Sequence, residues 1–154
     1  MKIRWITPLL GTGPADELRD IHDFHLIDVR DLVDKAGNRP DTVREKIRYG
    51  TRCLEEGKKV VICCDYGISR SNAIAAGILA RHEKTSLDAA VRKVQEATGE
   101  AEIKLEPLKA VRDALEGETT PARRGANKTV LVTGASGFLG SAICERLGEE
   151  FSVI

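Results

Sequence analysis

The sequence predicts an α/β fold, a central sheet flanked by helices, followed by a truncated strand–helix piece of a second domain. Three observations predict it. Apolar runs of strand length alternate with helical periodicity over the first eighty or so residues, and a run of helices follows. "KKVVICC", Lys58–Cys64, contains an unbroken apolar run suited to the middle of a sheet. After a break in composition, "KTVLVTGASGFLG" starts the strand-to-helix pattern again.

Taken in order, residues 3–6 alternate through Ile3 and Trp5 as a short first strand, stopped by Pro8 and "GTGP". "ADELRDIH" has the pattern of a short amphipathic helix, and "FHLIDV" that of a buried strand followed by the polar loop "DKAGNRP". Asp41 or Thr42 is placed to cap a helix running to about Glu56, with Val43, Ile47 and Leu54 on its inner face and Gly57 closing it. "KVVIC" is the central strand. "SNAIAAGILA" is apolar nearly all round, as a buried helix is. "SLDAAVRKVQEATG" and "KLEPLKAVRDALEG" are amphipathic helices. These divisions give a first domain over residues 1–116, a linker "GETTPARRGAN" over 117–127, and a second segment over 128–154.

The 154 residues hold 24 basic and 24 acidic side chains, so no net field draws nucleic acid or an anionic membrane. No apolar run reaches the ~18–20 residues of a membrane span. The N-terminus lacks the apolar core of a secretory signal. Cys53, Cys63, Cys64 and Cys144 fit neither zinc-ligand nor disulfide-framework spacing, so the expectation is free thiols in a reducing cytoplasm and no metal.

Chemistry concentrates in "CCDYGISRS", between the central strand and the buried helix. A strand–loop–helix junction gathers backbone N–H groups and the positive end of a helix around one point. Gly67 lets that loop bend and lets backbone approach a ligand. Arg70, in a Cys-x5-Arg spacing from Cys64, offers a planar fork to phosphate oxygens. The same donors favour the Cys64 thiolate, the nucleophilic form. Ser71 is placed to hydrogen-bond the sulfur when it leaves. Cysteine, anion cradle and arginine together suit cleavage of a phosphate ester through a covalent cysteinyl-phosphate.

"VVICCDYGISRSNAIAAGILA" resembles the signature of the cysteine-dependent protein tyrosine phosphatases, in their compact dual-specificity branch, and the resemblance extends over about residues 3–116. It implies Cys64 as nucleophile, Arg70 as ligand of the phosphate and transition state, and Ser71 as thiolate partner. The amides of Asp65, Tyr66, Gly67, Ile68, Ser69 and Arg70 would form the cradle. In that family a histidine precedes the nucleophile, helping to hold the loop and tune the thiol; here Cys63 stands there. Cys63 is expected to point into the core as a small hydrophobe, with a redox role beside Cys64 or Cys53 as the alternative.

The family takes the leaving-group proton from an Asp on a mobile loop upstream. "RDLVDKAGN" offers Asp34, which begins the polar turn, and Asp31, which follows the strand; Asp34 is preferred and Asp31 stays open. Asp28, within the strand, is the poorer choice. Asp65 would put a carboxylate at the rim, opposing additional phosphates by up to a few kcal/mol at ~4 Å and an effective dielectric of about 20. The expected substrate is therefore a phosphorylated protein or peptide: phosphotyrosine, and also phosphoserine or phosphothreonine. The alternatives are a small metabolite such as a sugar phosphate, or a module that binds phosphopeptides without hydrolysing them. No cofactor is expected for this chemistry.

"TVLVTGASGFLGSAI" places Gly134, Gly137 and Gly140 between a strand and a helix, where they permit a tight turn and approach to a pyrophosphate. It resembles the opening of the extended short-chain dehydrogenases, whose Rossmann domain binds NAD(P). The acidic residue that reads the ribose belongs about 20 residues beyond the glycines, where the sequence ends. The segment is expected to bind NAD(P) only in a complete domain, to derive from a longer phosphatase–dehydrogenase fusion, and to self-associate through its uncovered face; a short tail packed on the first domain is the alternative.

Overall fold

The computed structural model describes residues 3–119 and, separately, the backbone of two short strands, 129–130 and 152–153. Residues up to Thr119 form one compact unit. Its sheet contains β1 (Arg4–Trp5), β2 (Leu10–Pro14), β3 (His25–Asp28) and β4 (Val60–Cys64) in the order β1-β2-β4-β3. β1 is antiparallel to β2, whereas β2 and β3 both run parallel to β4. The helices are α1 (Pro40–Glu55), α2 (Ser69–Glu83), α3 (Leu87–Thr98) and α4 (Leu105–Thr119), with α2 packed against the other three. This is the expected α/β architecture.

β4 is buried along its whole length, as its unbroken apolar run demands. Its side chains alternate between faces. Val60, Ile62 and Cys64 join the main core with α1, α2 and α4, while Val61 and Cys63 meet Ala15 and Leu18 in a smaller core. The adjacent cysteines therefore belong to different layers. Cys63 is fully buried among apolar neighbours, as expected of it. Of the four cysteines, Cys53, Cys63 and Cys64 are free thiols; Cys144 lies outside the described residues.

Several expectations are corrected. "LGTGP" is a strand, β2, and not a stop. Its glycines do not prevent pairing because neighbouring side chains occupy the space: a Cβ on Gly11 would meet Ile3 Cγ2 at 2.8 Å. Thr12 supplies a buried polar anchor, donating to Asn72 Oδ1 at 3.0 Å. The expected helix at "ADELRDIH" shrinks to a 3-10 turn, Ala15–Glu17, with Ala15 and Leu18 buried in the smaller core and Ile21 partly buried against it. β3 is an edge strand, so Ile27 is buried but Leu26 is exposed. α1 starts at Pro40 with Arg39 before it and no side-chain cap, so neither Asp41 nor Thr42 caps it; proline suits a first helical position, where an N–H would have no partner. Its inner face is the expected one, and Gly57 ends it. α4 runs on to Thr119, into the expected linker, with Arg44 Nε donating to the Ala114 carbonyl at 3.2 Å near its end.

β5 (Thr129–Val130) and β6 (Ser152–Val153) pair in parallel, Thr129 opposite Ser152 and Val130 opposite Val153. Gly134, Gly137 and Gly140 lie outside the described residues. No helix among the described residues is long and apolar enough to cross a membrane.

Candidate active site

β4 delivers Cys64 to the end of the sheet, and the chain turns through Asp65–Ile68 into α2. Gly67 makes the turn with φ +66°, and a Cβ there would lie 2.4 Å from the Gly13 carbonyl carbon. The loop thus rests on the end of β2, where Gly13 and Pro14 pair with Cys63 and Cys64. Ile68 opens α2 without a side-chain cap, leaving the first-turn amides of the helix as donors beside the loop. Asn72 anchors that turn between β2 and α3, through Thr12 and, at 3.5 Å, Thr98 Oγ1.

Cys64 is 2% exposed, at the base of a cavity of about 180 Å³. Asp34, Tyr66, Ile68, Ser69, Arg70 and Lys104 complete the lining. Cys64 Sγ and Ser71 Oγ are 3.5 Å apart, with the thiol donating; a thiolate would accept from the same hydroxyl. Tyr66 is 78% exposed at the mouth.

Arg70 is held on several sides. Nη1 donates to the Leu32 carbonyl at 2.9 Å and the Arg30 carbonyl at 3.3 Å. Nη2 bonds the Asp65 carboxylate, and Nε lies 3.7 Å from Asp34 Oδ1. Burial alone would lower its pKa, but the Asp65 bond and the charges of Cys64 and Asp34 outweigh burial and hold the guanidinium above its ordinary value. Asp65, expected to present its carboxylate at the rim, is half exposed and paired with Arg70.

The two acid candidates separate. Asp34 lines the Cys64 cavity, and its Oδ2 accepts from Lys104 Nζ at 3.0 Å. Asp31 faces away: its Oδ1 is 3.1 Å from Lys46 Nζ, and it lines another cavity with Leu26 and Tyr49. The structure brings Cys64, Asp34, Ser69 and Arg70 together and leaves Asp31 apart. Two buried side-chain oxygens have no hydrogen-bond partner among the described residues, Asp34 Oδ1 and Ser69 Oγ, and both belong to this cavity. Buried polar atoms are rarely left without a hydrogen bond, and these two face the cavity, where water or a ligand can supply it.

Cys63, behind the loop, has its thiol pushed up to about 11, by burial first and then by the charge of Asp28. Asp28 itself is held below its ordinary range by the Arg30 hydrogen bond, against the effect of burial.

Sequence reasoning missed three contributors. Asn72 carried a signal, being an amide inside an apolar helix. Lys104 and Arg4 carried none: both arrive from distant segments, and Arg4 Nη2 donates to the Gly67 carbonyl at 2.8 Å.

No protein-family model and no curated protein matches the sequence. Solved structures do. Human DUSP28 superposes with a TM-score of 0.64 at 18% identity, over 77% of this chain and 98% of that one. A leucine rich repeat and phosphatase domain containing protein from Entamoeba histolytica gives 0.61 at 15%, over 79% and 96%. The human tyrosine phosphatase-like serine/threonine/tyrosine-interacting protein gives 0.60 at 17%, over 76% and 97%. The chain therefore has the fold of the dual-specificity phosphatases.

Proposed function

We propose that the protein is a phosphatase of phosphorylated proteins or peptides, cleaving phosphotyrosine and also phosphoserine or phosphothreonine monoesters. The observation that carries this is the convergence of Cys64, Arg70 and Asp34 on one small cavity, which also holds two buried oxygens without a hydrogen bond, Asp34 Oδ1 and Ser69 Oγ. Cys64 Sγ attacks phosphorus, the P–O ester bond breaks, and Asp34 passes a proton to the leaving oxygen. Water then attacks phosphorus with Asp34 taking its proton; the S–P bond breaks, and Ser71 Oγ donates to the departing thiolate. Arg70 and the amides of residues 65–70 bear the charge of the transferring group. Nucleophile, acid and cation are all side chains, so the cycle calls on no metal or cofactor.

Exposed Tyr66 beside the cavity suits a peptide more than a small sugar phosphate, since an aromatic at a rim offers contact area to residues flanking the phosphate. We place the protein in the cytoplasm, where free thiols persist. The parallel β5–β6 pair supports reading residues 128–154 as part of an NAD(P)-binding Rossmann domain.

The test is phosphate release from phosphotyrosine, phosphoserine and sugar-phosphate substrates in EDTA. Wild type should turn over the phosphopeptides and Cys64→Ser should not. Retained activity in Cys64→Ser ends the proposal, preference for sugar phosphates moves the substrate, and stable phosphopeptide binding without turnover replaces the enzyme with a binding module.

A further inference from the structure

The loop after Cys64 must aim its amides into the cavity, so its carbonyls have to find partners elsewhere. Two of them share one side chain from β1, the edge strand two places from β4. Arg4 Nη2 donates to Gly67 O at 2.8 Å and to Tyr66 O at 3.5 Å. Arg4 Nη1 is fixed in turn by Glu100 Oε1 at 2.5 Å, just beyond the end of α3. The pair is largely shielded, with side-chain exposures of 25% and 29%. Neither residue lines the Cys64 cavity. Arg4 therefore lies behind the loop.

Peptide planarity turns this contact into aim. The Tyr66 carbonyl belongs to the same rigid trans unit as the Gly67 N–H, and the Gly67 carbonyl to that of the Ile68 N–H. In each unit C=O and N–H point in opposite directions. A guanidinium that holds both carbonyls on the outside holds both N–H groups towards the inside. Its charge also polarises the two peptides in the sense that strengthens them as donors to an anion. Gly67 makes such a brace necessary, because residues without a Cβ have the widest choice of backbone conformation.

We infer that Arg4, oriented by Glu100, is a positioning residue for the anion cradle: it sets the direction of the Gly67 and Ile68 amides that would grip the phosphate. This rests on the reading of the cavity as a phosphate site, but not on turnover. A merely structural Arg4 would tie β1 to the loop and to Glu100, with no effect on anion binding beyond loss of fold.

Three readouts on the full chain separate these cases: thermal unfolding, inhibition by or binding of orthovanadate, and alkylation of Cys64 by anionic iodoacetate against neutral iodoacetamide. Arg4→Met should weaken vanadate binding about tenfold, comparable to loss of one hydrogen bond to a charged group. It should also lower the iodoacetate-to-iodoacetamide ratio while the protein stays folded. Arg4→Lys should recover part of the loss, since an ammonium can hold one carbonyl but lacks the planar fork. Glu100→Gln should fall between, with a weakening of about two- to threefold. A folded Arg4→Met protein with wild-type vanadate affinity and alkylation ratio overturns the inference. If Arg4→Met does not fold, Glu100→Gln decides, and unchanged vanadate affinity there overturns it equally. Arg4-dependent vanadate binding in a wild type without phosphatase activity would sustain the inference and refute the enzymatic reading alone.

Discussion

The carboxylate of Asp65 is bound to the guanidinium of Arg70, so an acidic side chain of the loop itself occupies the group that would grip a phosphate. Any phosphate that reaches Arg70 through the same nitrogen must displace it. Asp65 is half exposed, with a side-chain exposure of 52% against 12% for Arg70. A pair of that kind contributes at most about 1 kcal/mol, or about fivefold in affinity. Asp65→Asn should therefore lower KM for an aryl phosphate and tighten vanadate inhibition by up to about fivefold, with kcat little changed. Steady-state kinetics at fixed ionic strength check this. A rise in KM would show instead that Asp65 holds the guanidinium in its productive orientation.

Asp34 stands between two cations, 3.0 Å from Lys104 and 3.7 Å from Arg70, and shares the cavity with Cys64. Asp31 pairs with Lys46 outside it. Asp34→Asn should reduce kcat on a phosphoserine peptide by about 10²-fold, the usual range for loss of a general acid. The effect on an aryl phosphate should be smaller, because a phenolate departs without a proton far more readily than an alkoxide. Asp31→Asn should leave both substrates within about twofold, the scale of an exposed ion pair. The reverse pattern, with Asp31→Asn impaired and Asp34→Asn active, would return the acid role to Asp31.

The parts of the site that were legible lie within one stretch of sequence. Cys64, Gly67, Arg70 and Ser71 are placed by a strand, a turn and a helix start, and each leaves a local pattern. β4 could be read because a strand covered on both faces must be apolar throughout. β2 could not, because "GTGP" has no strand character of its own; Ile3 and Trp5 fill the space above Gly11, and Thr12 is paid for by Asn72 across the core. The choice between Asp31 and Asp34 was open for a similar reason. Three residues apart in an irregular loop, they are sorted by tertiary bonds. The Leu32 carbonyl is held by Arg70, while the Asn38 side chain bonds Val33 N at 2.8 Å and Val33 O at 2.7 Å. No periodicity encodes those contacts, nor the arrival of Lys104 and Arg4.

Cys63 offers a prediction that is independent of catalysis. Its thiol is fully buried against Ala15, Leu18 and Val61, and its pKa rises from 9.0 to about 11. In the unfolded chain the thiol is free to ionise near its ordinary value, whereas in the folded protein it keeps its proton to about 11. Over that window the unfolded state binds fewer protons than the folded state, so stability falls as pH rises. Below the unfolded value both states are protonated, and the contribution is flat. The sign is opposite to that of a carboxylate stabilised by a cation. Cys63→Ala removes the titration, and the small cavity it leaves should cost about 1 kcal/mol at neutral pH. Urea midpoints of wild type and Cys63→Ala, compared at about pH 7.5 and about pH 10.5, should therefore converge and then cross as pH rises, because the titration removes about 2 kcal/mol from wild type by the upper pH. Parallel midpoints across the window would mean that the thiol ionises in the folded protein as easily as in the unfolded chain, and that the smaller core admits water.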